Sequence, residues 1–194
     1  MRKNAKFDRD QVVDKATNLY WEKGFHATSM RNLQDVIDMR PGSIYATFGS
    51  KEGLFKEALM RYTQQGVTAL HLCRNETQSP LEALKRFVKE IVIDTQTAAP
   101  NGMCMLAKTV AELTDSNRDL LEEAKRSLKI LETEFEKLII EAQEHGEVAK
   151  DKVAGQLARH LQIQISGLRI YAKTYGDEAP LDQLVEDIFT HYPF

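Results

Sequence analysis

The sequence is poor in the residues that break chains and in those that staple them. Ten glycines and five prolines among 194 residues fall below the roughly 12 % that the two supply on average. Turns are therefore too scarce for a many-stranded sandwich or barrel, and an all-α chain is expected. The two cysteines, Cys73 and Cys104, form neither a CxxC pair nor a disulfide framework, which points to a reducing compartment. No apolar run approaches the ~18 residues of a membrane-spanning helix, and the start of the chain lacks the apolar core of a signal peptide. A cytoplasmic protein without a membrane partner is expected. His26, His71, His145, His160 and His191 never fall at HxxxH or HExxH spacing, so no metal site is read from them. GxSxG, Walker A and GxGxxG motifs are missing as well. The expectation is a protein without a cofactor and without a catalytic constellation.

What is present is an uneven distribution of charge. The net charge of −3 would by itself argue weakly against nucleic acid. Residues 1–65 carry 11 Lys and Arg against 8 Asp and Glu, a net +3, while residues 66–194 carry 15 against 21, a net −6. A slightly basic head joined to an acidic body indicates two tasks.

The head reads as short helices. Asp8 precedes Val12, Val13, Ala16, Leu19 and Tyr20, an amphipathic stripe that Gly24 is placed to end. Thr28 or Ser29 caps a second helix with Met30, Leu33, Val36 and Ile37 on one side. Pro41 opens a third of about two turns, to Phe48, which Gly49 interrupts. Ser50 starts a fourth, with Leu54, Phe55, Ala58, Leu59 and Tyr62 as its apolar stripe. Two helices, a tight turn and a short helix with exposed polar residues make a helix-turn-helix.

The run Gly24-Phe25-His26-Ala27-Thr28-Ser29-Met30, then Leu33, then Gly42-Ser43-Ile44-Tyr45-Ala46-Thr47-Phe48-Gly49-Ser50-Lys51-Glu52-Gly53-Leu54-Phe55 resembles the N-terminal domain of TetR-family transcriptional regulators. The resemblance covers residues 8–60. It implies that the helix over 41–48 enters the major groove of operator DNA. Tyr45, Lys51 and Thr28 would then hold phosphates, while Arg40, Ser43 and Thr47 meet base edges. The chemistry agrees, since Lys and Tyr donate to phosphate oxygens, Arg clamps guanine and a Thr methyl meets that of thymine. The family usually has Gly where Asp38 stands, so a strained or differently built turn is expected there. Arg2, Lys3 and Lys6 read either as an arm that reaches phosphates or a minor groove, or as a solvated terminus.

The body continues in helices. Stripes run from Pro80 to Val92, from Met103 to Leu113, from Asn117 to Gly146, from Lys150 to Tyr175 and from Pro180 onward. Gly155, Ser166 and Gly167 would let another helix approach closely. The resemblance implies that the last two long helices pair two subunits into a homodimer. The division expected is a helix-turn-helix domain over 1–50, a connecting helix over 51–65 and an effector-binding and dimerisation domain over 66–194. A two-fold dimer calls for a pseudo-palindromic operator. Met103-Cys104-Met105-Leu106-Ala107-Lys108 with Glu112, Met103 replacing a Gly, and Gly167-Leu168-Arg169-Ile170-Tyr171-Ala172-Lys173 resemble two stretches of a subgroup of the family with a Gly-Cys-Leu segment, some of whose members sense electrophiles or oxidants. Cys104 reads in two ways, as a thiol sensor favoured as thiolate by Lys108 or Lys173, or as a small hydrophobe in a pocket wall. Cys73 reads as a packed thiol.

The leading reading is a ligand-responsive repressor that releases its operator on binding a small hydrophobic or electrophilic effector. An activator of the same family, and a helical carrier or enzyme in which the head is only a packing module, remain as alternatives.

Overall fold

A computed structural model of the chain describes residues 8–94, 102–190 and 194. Helix α1 spans Arg9–Lys23, and the Asp8 carboxylate accepts from the amides of Asp10 and Gln11 at its start. Two donors without an intrahelical partner are thereby satisfied. Helix α2 spans Met30–Ile37. Ser29, and not Thr28, is its cap: the Ser29 hydroxyl accepts from the Asn32 amide, and the Asn32 side chain accepts from the Ser29 amide. Asp38 then turns the chain in the left-handed conformation, φ 53° and ψ 44°. The turn is thus built as a Gly would build it, with Asp meeting a local cost that its short polar side chain keeps low. Helix α3 spans Pro41–Phe48, with Pro41 in the first turn.

Helix α4 spans Lys51–Asn75, and Ser50 accepts from the Gly53 amide at its start. It runs ten residues past the connecting helix expected over 51–65. The reason is that Leu70 and Cys73 carry its buried face onward after Leu59 and Thr63. The body adds α5 (Pro80–Val92), α6 (Met105–Glu112), α7 (Arg118–Glu144), α8 (Ala154–Tyr175) and α9 (Leu181–Thr190). The α8 start expected at Lys150 moves to Ala154 because residues 149–153 form a turn. The Gln143 side chain donates to the carbonyls of Ala149 and Lys152 and holds that turn. No strand occurs among the described residues, and the fold is all-α.

Two apolar clusters form the interior. One joins α1, α2, α3 and the start of α4 to Met105 and Leu106 of α6, to Leu113, and to Leu120 and Ala124 of α7. The other joins Leu70 and Cys73 of α4 to α5, the second half of α7, α8 and α9. The core of the head therefore does not stop at residue 65. It takes in α6, which lies far along the chain. Of the three small residues expected at a helix contact, Gly155 faces Glu136 of α7 within the subunit and Gly167 has open space around it. Ser166 lines a cavity instead.

Candidate functional site

The short helix α3 is anchored from below. Ile44 and Phe48 are buried, which turns the other side of two helical turns outward. Arg40, Ser43 and Tyr45 are exposed, Tyr45 at 50 %, and Thr47 is half-buried beside them. The side chains of these four residues make no hydrogen bond or ion pair among the described residues. Four donors or acceptors are thus presented on one convex face, with no internal partner to compete for them.

Lys51 stands at the edge of that face, its ammonium 4.2 Å from the centroid of the Phe25 ring. Burial pulls its pKa below the ordinary lysine value, opposed by the carboxylates of Glu52 and Glu112. Thr28 is placed differently from the expectation. It is fully buried and its hydroxyl donates to the Gly24 carbonyl at 2.6 Å, so its side chain fixes the loop and does not reach the surface. Arg2, Lys3 and Lys6 lie outside the described residues.

The face is held rigidly to the rest of the molecule. The Tyr20 hydroxyl donates to the Lys51 carbonyl at 3.0 Å. Arg61 of α4 clamps Asp14 of α1 through two bonds of 2.6 and 2.9 Å, a bidentate geometry that fixes orientation as well as distance. Helix α6 adds a second brace. The Glu112 carboxylate accepts from the amides of Phe25 and His26, at 3.2 and 2.7 Å, in the loop that enters α2. The Lys108 ammonium donates to the carbonyls of Trp21 and Glu22 at the end of α1, where both the free carbonyls and the helix dipole favour a cation. The Trp21 indole in turn donates to the Met103 carbonyl at 2.6 Å.

Directly behind this brace lies a cavity of about 220 Å³. Its wall is largely apolar, from Ala69 of α4, Phe87 and Ile91 of α5, Leu128, Leu131 and Phe135 of α7 and Ile165 of α8. Tyr62, Cys104 and Arg169 line it beside Trp21 of the head, and Gln65, Glu90, Gln162 and Ser166 add further polar groups. Arg169 is 6 % exposed, and its guanidinium donates to the Gly102 carbonyl at 3.3 Å and to the Tyr62 hydroxyl at 3.4 Å. The Tyr62 pKa is raised, first by burial and next by the adjacent Cys104 thiol, so the phenol keeps its proton. An apolar chamber with a few converging polar groups is the form a small-molecule site takes.

Cys104 lines this cavity, half-buried, at the start of α6. Lys108 is one turn further on but points its ammonium at the end of α1. Lys173 lies past the last cavity residue of α8. Cys73 is a buried thiol whose sulfur lies 3.5 Å from a Glu90 oxygen. Burial, and secondarily Glu90, pushes its pKa up to about 11, so it packs and does not react.

Sequence reasoning missed Tyr62, Glu112, Trp21 and above all Arg169 as site residues. A signal existed for Arg169, because Leu157, Leu161, Ile165 and Arg169 recur every four residues and so share the inward face of α8. Tyr171 is exposed, and the buried face of α8 passes through Leu168 and Ala172. Glu112 belongs to the stretch that resembles the Gly-Cys-Leu subgroup, but no sequence signal marks its partners, main-chain amides 86 and 87 residues away.

Comparison with known proteins agrees with this architecture. The profile of bacterial regulatory proteins of the tetR family matches residues 12–58, and that of the tetracyclin repressor-like C-terminal domain matches residues 80–188. The HTH-type transcriptional repressor ComR of Escherichia coli is 29 % identical over 183 residues, covering 93 % of this chain and 85 % of ComR. The HTH-type transcriptional repressor DhaR of a Mycobacterium species is 24 % identical, covering 93 % and 90 %. Among solved structures, a cysteine mutant of the TetR family regulator CifR in complex with 26-base-pair double-strand operator DNA superposes with a TM-score of 0.82. It is 26 % identical, covering 97 % of this chain and 98 % of CifR.

Proposed function

Because the chain belongs to the TetR family of bacterial regulatory proteins, we propose that it is a homodimeric, ligand-responsive transcriptional repressor that holds a pseudo-palindromic operator and releases it when a small molecule fills the cavity. The observation that carries this reading is the brace made by α6. One short helix begins at the cavity with Cys104 and ends on the head with Glu112, so a change in the cavity has a direct mechanical route to the loop that sets α2 and α3.

In this reading residues 1–50 form the DNA-binding head, 51–65 the connection and 66–194 the effector-binding and dimerisation body. It is a regulator and not an enzyme. Arg40, Ser43 and Thr47 meet base edges, while Tyr45 and Lys51 hold phosphates. The link between cavity and head is shared by α4 and α6, since α4 supplies the cavity residue Tyr62 and α6 supplies the bonds to the head. Coupling of about 1–3 kcal/mol between cavity and operator changes affinity by roughly 5- to 150-fold, a scale that the loss of a few of these bonds reaches.

The test is operator binding by gel shift over a salt series, with an operator selected from random duplexes. Tyr45→Ala and Lys51→Ala weaken binding to all sequences and lower the salt dependence. Arg40→Ala costs about 1–3 kcal/mol on the preferred site and relaxes the preference at one base position. Unchanged affinity in all three variants sinks the assignment.

Cys104 supports a second reading of the trigger, as a thiol that an electrophile modifies. The observation in its favour is that Cys104 is the cysteine that lines the cavity, at the first turn of the brace. A thiol-alkylating agent then releases operator from the wild type and not from Cys104→Ser. Release from both discards this trigger.

A further inference from the structure

The cavity contains a charge that no carboxylate among the described residues neutralises. Arg169 is buried, and a guanidinium stays protonated and offers five N–H donors. The hydrogen bonds it makes among the described residues, to the Gly102 carbonyl and the Tyr62 hydroxyl, lie at 3.3 and 3.4 Å, near the outer limit for such bonds. Both acceptors are neutral. No ion pair joins Arg169 to any carboxylate among the described residues, and the segments outside them, 1–7, 95–101 and 191–193, contain no Asp or Glu.

Other buried charges in the protein are treated differently. Glu123 of α7, slightly more buried than Arg169, pairs with both Lys56 and Arg126. Glu90 also lines the cavity, but it is exposed and accepts from the Cys73 thiol. A buried cation left without a counter-ion is costly, and one that faces a cavity keeps its vacant donors for whatever enters.

We propose that the ligand of this cavity is a small organic acid, with its carboxylate held by Arg169 and Tyr62 beside Trp21 of the head and its apolar part lying along Phe87, Leu131, Phe135 and Ile165. The carboxylate accepts from the free guanidinium N–H groups and from the Tyr62 hydroxyl, which keeps its proton. The ammonium of Lys108 is turned to α1, so Arg169 is the cation that selects the acid. The volume of about 220 Å³ lies below the 300–1,000 Å³ of sites for drug-sized compounds, which favours a short aliphatic or single-ring acid. The acid group sits between Trp21 and Cys104, at the root of α6, so this inference rests on the ligand-responsive reading and gives its ligand a chemical class.

Trp21, the single tryptophan of the chain, reports on this end of the cavity. The full-length protein is titrated with benzoate, phenylacetate and hexanoate and with the matching neutral amides, followed by Trp21 fluorescence. The wild type gives saturable changes with at least one acid and binds it at least tenfold more tightly than its amide. Arg169→Met loses that preference while keeping a cooperative melting transition no lower than that of the wild type, since removal of an uncompensated buried charge does not weaken the apo protein. Arg169→Lys retains the preference in part, because it keeps the charge and loses the fork. Equal binding of acid and amide by the wild type, or no binding of any of the three acids at millimolar concentration, overturns the inference. So does an undiminished acid preference in Arg169→Met. A parallel gel shift keeps the two proposals apart: an acid that binds without releasing operator sinks the ligand-responsive reading and leaves the acid site standing.

Discussion

Gly24 meets two demands that no other residue satisfies. It ends α1 at φ +85°, and a Cβ there would collide with the Glu112 carboxylate. Gly24→Ala therefore adds a left-handed alanine to a displaced brace, with an expected cost of about 1–3 kcal/mol in urea-induced unfolding. Gly53 is constrained in a different way, because a Cβ would run into the Phe48 carbonyl at the close of α3. Gly53→Ala shifts α3 against α4, so it weakens operator binding more than it weakens the fold. A dense local motif places Arg40, Ser43 and Tyr45 on the exposed side of the head, whereas the loop geometry turns the Thr28 hydroxyl inward to the Gly24 carbonyl, which local pattern does not show.

At the level of elements, α6 and α8 matter most. Helix α6 has eight residues and no side-chain cap at its start, too short to be stable alone. It is ordered by Met105 and Leu106 in the core of the head and by its polar bonds to α1 and the α2 entry. Glu112→Ala and Lys108→Ala are expected to leave ligand affinity near wild type while reducing by severalfold the loss of operator affinity that ligand causes. Titrating each variant with ligand, in the presence and absence of operator, measures this. Helix α8 divides its surface. Arg169 and Ile165 face the cavity, whereas Ile163, Ile170, Tyr171 and Tyr175 lie on the outer face, Ile163 at 67 % exposure and Ile170 at 54 %. Residues 163, 167, 170, 171 and 175 follow a helical spacing, and the bare Gly167 sits among them. In the homodimer proposed above, this apolar stripe is the surface that lies against the partner subunit. Ile163→Glu with Ile170→Glu is expected to yield a folded monomer by light scattering that no longer retains operator, since a single short helix reads too few base pairs.

For the whole molecule, the +3 head and the −6 body take on a spatial meaning. The basic part carries α3, and the acidic part is one that DNA would repel. Much of that acidity is locally neutralised. Glu141 accepts from Arg74, and Glu134 from Lys137 and His71. These hydrogen bonds hold both carboxyl groups below the ordinary glutamate value of 4.5. A depressed folded pKa stabilises the protein at pH values above the unfolded one, and the contribution is lost as pH falls through the folded value. Melting temperature should therefore be flat above about pH 5 and decline below about pH 4.5, modestly, because the Arg74–Glu141 pair is partly exposed and screened. Arg74→Met removes part of that decline.

Periodicity and punctuation in the sequence determined the helices, the head and the outward face of α3, because those follow from local spacing and from caps within a few residues. The sequence also showed the two-part division of charge. Only the tertiary structure decided that α6 belongs to the core of the head, that Glu112 and Lys108 are braces, and that Arg169 stands in a cavity without a carboxylate partner among the described residues. Each of those facts depends on which main-chain amides, carbonyls and side chains meet across 67 to 107 residues of chain, and local pattern carries no information about such meetings.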